Sequence, residues 1–180
     1  FEQALRRAQI PYKVSGGQSF FDRAEIKDLC AWLRLWINED DDPAFLRAVT
    51  TPKRGIGHQT LAALGEFAGK ARLSLFGALF AHSLPAALPA RAIAGLHEFG
   101  RLLNDLRHRA GHTVGHEAAR TFLSDWLKDI GYEQHLHDSA DSAPQATARW
   151  QNVLEFCDWM AGRCGGQIED AAGVTLRQEP

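Results

Sequence analysis

Sulfur is scarce in this chain, whose 180 residues include three cysteines and one methionine. The cysteine count is odd and no Cys-x-x-Cys occurs, so a complete disulfide framework is excluded and free thiols in a reducing cytoplasm are expected. Cys30 and Cys157 fall on apolar helix faces and read as small buried hydrophobes. Net charge of one sign is also lacking. The formal value is -2, so the surface as a whole does not attract nucleic acid, and any such contact must be local. No apolar run approaches the ~20 residues that a membrane span needs. No secretory signal is visible, and Phe1-Glu2-Gln3 starts with helical character and no initiator Met, as an excised piece of a longer chain would.

Catalytic signatures are missing too. There is no Gly-x-x-x-x-Gly-Lys-Ser/Thr loop for nucleotide phosphates. There is no Gly-x-Ser-x-Gly elbow and no Cys/His nucleophile arrangement. His108, His112 and His116 recur every fourth position and Glu117 follows, but the second histidine of a His-Glu-x-x-His site is replaced by Arg120. Gly111 and Gly115 interrupt the helix that would align the rings, so solvated histidines and no metal are expected. His135 and His137 are read the same way. The carboxylates in Asn38-Glu39-Asp40-Asp41-Asp42 read as a helix start rather than a cation site, with Asp42 as cap and Pro43 as first helical residue. Glu25 and Asp28 share a helix turn, and capping and solvation account for them. No self-contained catalytic site is expected.

What is present is helical patterning. Hydrophobic content of 45% and charged content of 23% are globular values, and the length suits one domain with its own core. Asp22-Arg23-Ala24-Glu25 has capping-box spacing, and Ile26, Leu29, Cys30, Leu33, Trp36 and Ile37 then form one apolar stripe. Further helices are predicted over 43–50 (Phe45, Leu46 and Val49 inward), 59–69, 74–82, 90–110, 114–130 and 147–163. The stretch 138–146 reads as a loop, and the tail from Gly165 lacks periodicity. Residues 1–9 read as a helix end and Tyr12-Lys13-Val14 as a short strand. The expected fold is mainly α: a multi-helical bundle with at most one short strand near the N-terminus.

Between two of these helices lies Thr51-Pro52-Lys53-Arg54-Gly55-Ile56-Gly57. Two glycines around one apolar residue permit a tight turn and leave the backbone N–H groups open to close approach. The next helix presents its unpaired N–H groups and positive dipole end at the same place. Lys53 and Arg54 add two mobile positive charges. This arrangement suits a phosphate and can do no covalent chemistry; a tight structural turn that binds nothing is the alternative reading. A weaker candidate is Leu127-Lys128-Asp129-Ile130-Gly131-Tyr132, whose single glycine is equally explained as a helix C-terminal cap.

Ile10-Pro11-Tyr12-Lys13-Val14-Ser15-Gly16-Gly17-Gln18-Ser19-Phe20-Phe21-Asp22-Arg23-Ala24-Glu25-Ile26-Lys27-Asp28 closely resembles a segment of the superfamily 1 DNA helicases of the UvrD/Rep/PcrA type. Asp40 to Arg47, Thr51 to Gly57 and Thr60 to Leu64 continue the resemblance in order, and the details look most like the Rep branch. A looser match runs through Ile130-Gly131-Tyr132-Glu133 and the Trp150–Met160 helix. The resemblance implies the helical insertion of the second motor domain, called 2B. Residues 1–20 would be the edge of that motor domain (2A), 21–165 the 2B subdomain, and 166–180 a loose tail leading back. It implies no cofactor in this piece, with ATP and Mg held elsewhere in a parent that unwinds DNA 3′ to 5′. The implied partners are duplex DNA near a single-strand/double-strand junction, the parent's motor domains and replication proteins, with no membrane and a cytoplasmic location. Lys53, Arg54, Gly55, Ile56, Gly57, His58 and Thr60 are implied at a DNA phosphate. Lys128, Ile130, Gly131 and Tyr132 are implied as a weaker second contact. A rival reading is a protein-interaction or autoinhibitory module docking on the motor or a replication partner.

Overall fold

A computed structural model describes residues 19–164. A 3-10 turn, Phe20–Asp22, leads into eight α-helices among the described residues. They are α1 (Ala24–Ile37), α2 (Asp42–Thr50), α3 (His58–Ala71), α4 (Leu75–Ala78), α5 (Ala90–Gly111), α6 (His116–Asp129), α7 (Tyr132–Ser139) and α8 (Ala143–Cys164). A second 3-10 turn, Leu84–Ala86, precedes α5. The described residues contain no strand. The strand expected at Tyr12–Val14, the helix end at 1–9 and the tail from Gly165 lie outside them.

The core forms where the apolar stripes meet. α1 packs on α2, α5 and α8, and α6 packs on α8 most extensively. At the centre, Trp32 of α1 meets Phe99 of α5 edge-on at 5.6 Å and Trp126 of α6 at 6.3 Å. Phe45 of α2 meets Phe99 at 5.4 Å. All four rings are fully enclosed. Edge-to-face contact adds to the burial of large apolar area, so this cluster ties four helices together.

Several local expectations are corrected. Asp22 does not cap α1; it is drawn into the 3-10 turn, and Arg23 stands at the N-cap without a side-chain cap bond. Asp41, not Asp42, caps α2, accepting from the Ala44 amide at 3.0 Å. Asp42 reaches across and accepts from the Leu75 amide at 2.9 Å, capping the chain's approach to α4. Ile37 is 70% exposed, because α1 ends there and the chain turns away. Leu46 also faces out, at 43%. The stretch 138–146 is not one loop: α7 runs to Ser139 and α8 begins at Ala143. Proline is tolerated in a first helical turn, and buried Ala146 draws that turn onto the core.

Candidate nucleic-acid interface

The bend between α2 and α3 is held from three sides. The Trp32 indole N–H of α1 donates to the Thr51 carbonyl at 3.0 Å. The Thr51-Pro52 peptide is cis, and Pro52 is buried. Further on, Ile56 is half-buried and packs against α5, with its Cγ1 3.7 Å from where a Cβ on Gly95 would stand. Between these anchors Gly55 takes φ 77, in the left-handed region that favours glycine. Gly57 is the N-cap of α3 at φ -85, ψ 168 and offers no side-chain cap.

The result is a largely exposed stretch of backbone. Lys53, Gly55, Gly57, His58 and Gln59 are exposed. Among the described residues, none of the amides from Gly55 to Thr60 donates to a protein acceptor; the series resumes with Leu61, whose amide reaches the Gly57 carbonyl at 3.2 Å. The first turn of α3 therefore keeps the unpaired N–H groups and positive dipole end that favour an anion. No carboxylate stands in that first turn.

The two basic residues part company here. Lys53 points to solvent. Arg54, expected as a second mobile charge, is turned inward: its guanidinium carbon lies 5.2 Å from the Trp32 ring centroid and 5.1 Å from that of Phe99. Its Nε donates to the Val49 carbonyl at 3.1 Å and its Nη2 to that of Ala48 at 3.5 Å. Burial pushes the pKa down to about 10, opposed by the Glu98 carboxylate. At neutral pH the group is still a cation, but an enclosed one.

The second turn behaves differently. Gly131 is left-handed at φ 66, and its amide donates to the Lys128 carbonyl at 3.0 Å. The Ile130 amide donates to Trp126 at 3.0 Å. Tyr132 is fully enclosed, and its hydroxyl donates to Asp28 Oδ2 at 2.8 Å. Burial, then Asp28, raises its pKa. Of the four residues, Lys128 alone is an exposed cation, loosely paired with Asp125 at 3.8 Å. The Tyr132 hydroxyl is thus engaged inside the fold, and the turn before it, with Lys128 and Gly131 exposed, is the joint between α6 and α7.

That joint belongs to a buried polar network. Asp28 also takes Arg47 of α2 at 2.7 Å. Glu25 accepts from Asn152 Nδ2 of α8 at 2.8 Å, and Arg23 donates to the Oδ1 of the same side-chain amide. Capping and solvation do not explain Glu25 and Asp28, which are only 5% and 8% exposed. Their position on the inward side of α1, beside Ile26 and Leu29, was the available signal. His135 of α7 has its pKa lowered by burial first and also by Lys53 and Arg149, against Asp28 and Asp138.

Among the described residues, no group of three or more His, Cys, Asp and Glu side chains is arranged to hold a metal. An open cleft of about 710 Å³ lies between α6, α7 and α8, with Leu127, Trp150 and Leu154 among its walls and Arg120, Lys128 and Asp158 also lining it. No helix there or elsewhere among the described residues is long and apolar enough to cross a membrane.

Among the described residues, these features make a helical module with an exposed bend whose main-chain amides lack protein acceptors. Its family follows from comparison. Residues 1–87 match the family model of the UvrD-like helicase C-terminal domain. Over 178 residues, 99% of the chain, it is 42% identical to the ATP-dependent DNA helicase Rep of Salmonella typhimurium, of which it covers 26%. It is 41% identical over the same share to the ATP-dependent DNA helicase Rep of Escherichia coli, again covering 26%. It is 43% identical to DNA helicase II of Haemophilus influenzae over 106 residues, 59% of this chain and 15% of that protein. The chain belongs to the UvrD-like helicase family, and it spans about a quarter of the length of the Rep proteins it matches.

Proposed function

We propose that this chain is the duplex-DNA-binding, regulatory 2B subdomain of a Rep-like, ATP-dependent 3′–5′ DNA helicase acting in replication or repair. Residues 21–165 form that subdomain in this reading, and the flanks 1–20 and 166–180 lead to and from the second motor domain. The parent holds ATP and Mg between its motor domains. This piece supplies a grip on duplex near the junction with single strand.

One observation carries the reading: among the described residues the amides from Gly55 to Thr60 find no protein acceptor, on a bend where Gly55, Gly57, His58 and neighbouring Lys53 are exposed. Such donors meet phosphate oxygens and fix register without reading sequence. His58 and Thr60 flank the same point, in the first turn of α3. Binding is therefore nonspecific and salt-dependent, at about 10^-4 M or weaker at physiological salt.

Titration of fluorescent duplex and single-stranded DNA at two salt concentrations tests this. Preference for duplex is expected; preference for single strands contradicts it. A docking role on the motor or a replication partner is the rival, favoured by the cleft that carries Trp150 and Leu154. Lys53→Ala separates the two. It weakens duplex binding under the first reading; under the second, duplex binding stays put while helicase inhibition or partner binding changes.

A further inference from the structure

Arg54 is placed unlike a surface cation. Its guanidinium is wedged against two core aromatic faces, from α1 and α5, at 5.2 and 5.1 Å. Its hydrogen bonds end on Val49 and Ala48, in the last turn of α2, where helix carbonyls run out of intrahelical partners. A positive charge also suits that end of the helix dipole. One side chain thus meets the Val49 carbonyl, shares the Ala48 carbonyl with the Thr51 amide, packs over Trp32 and Phe99, and holds the chain immediately before left-handed Gly55. To reach a DNA strand it would have to abandon both rings and both carbonyls.

We propose that Arg54 is a positioning residue: it braces the bend so that the amides of residues 55–60 stand ready for a phosphate, while Lys53 carries the charge that meets the strand. The proposal deepens the duplex-binding reading and rests on it. A bend already held in its bound shape loses less conformational freedom on binding, which strengthens contact without adding one. The brace depends on a planar fork. Lysine keeps the charge but cannot lie flat on two rings while donating to two carbonyls.

The test uses the 180-residue chain with Lys53→Ala, Arg54→Lys and Arg54→Met. Duplex titration across a salt series gives affinity and salt slope. Backbone 15N relaxation of Gly55 and Gly57 without DNA gives the stiffness of the bend, and thermal midpoints confirm folding. Lys53→Ala is expected to lower the slope by about 0.9, one phosphate contact. Arg54→Lys is expected to loosen Gly55 and Gly57 and to weaken binding about tenfold despite its retained charge. Arg54→Met fills the slot between the rings and is expected to keep the wild-type slope. Wild-type stiffness and affinity in Arg54→Lys would overturn the brace. So would a slope lowered by Arg54→Met as much as by Lys53→Ala, with the bend still stiff. If the wild-type chain binds no duplex at low salt, the duplex-binding reading fails; relaxation in Arg54→Lys then decides the brace alone, with a stiff bend overturning it.

Discussion

Gly55 and Gly57 stand two positions apart and are glycine for different reasons. A Cβ at either would meet open space, so crowding decides neither. Gly55 is held by its backbone at φ 77, and Gly55→Ala is expected to cost about 1–2 kcal/mol of stability from the left-handed conformation alone. Gly57 has ordinary dihedrals and caps α3 without a side chain. Gly57→Ser supplies a hydroxyl that accepts from the amides of the first turn, so a gain of a few tenths of a kcal/mol is expected. The same hydroxyl occupies donors proposed for phosphate, so duplex affinity should fall as the melting temperature rises. A Gly57→Ser chain that binds as well as wild type removes the α3 amides from the contact. The thiols give a second residue-scale expectation. Burial, then Asp158, pushes Cys157 up to about 12, whereas Cys164 is exposed. Brief alkylation followed by mass spectrometry should label Cys164 and spare Cys157. The glycines were legible in sequence because their spacing speaks to backbone conformation directly. Which member of the Lys53-Arg54 pair turns inward was not legible: it depends on Trp32 and Phe99, which reach that point from two other helices.

At the scale of elements, stripes of apolar residues marked α1 and α5 well, because a long helix repeats its inward side many times. Short α7 escaped: Tyr132 and Leu136 are its only buried side chains, too few to show a period. Its place is fixed instead by the polar network at the start of α1, whose members lie more than a hundred residues apart in sequence. Tyr132→Phe removes the hydroxyl bond to Asp28 and leaves a buried carboxylate one donor short. A loss of about 1.5–3 kcal/mol is expected, as for a hydrogen bond to a charged group. For a domain of this size each kcal/mol lowers the thermal midpoint by about 2–4 °C, so calorimetry resolves it. α7 also carries His135, lowered by burial and by Lys53 and Arg149 against Asp28 and Asp138. A base lowered on folding binds its proton more readily in the unfolded chain, so its contribution is present above about pH 6.5 and is lost as pH falls below that. Denaturation midpoints should therefore fall on acidification through this window, and fall less in His135→Gln. Equal decline in both chains would place the sensitivity elsewhere.

For the whole molecule, a formal charge of -2 means that the field beyond the contact does not draw DNA in. In the proposed contact, attraction comes from one bend and the exposed lysine beside it. Several basic residues that a count would credit to DNA are engaged elsewhere: Arg47 with Asp28, Arg109 with Asp129 at 2.7 Å, and half-buried Arg54 against Trp32 and Phe99. Each phosphate neutralised by a side-chain cation contributes about 0.9 to the slope of log affinity against log salt. A contact built mainly from neutral amides and Lys53 should thus show a slope of about -1 to -2. The expected outcome for the 180-residue chain is weak duplex binding with that shallow slope, lowered further by Lys53→Ala and unchanged by Lys70→Ala, whose ammonium is exposed and paired with Glu66 at 2.6 Å. A slope several times steeper would require a broad cationic face. The bend would then be one contact among many rather than the place where the chain meets the strand.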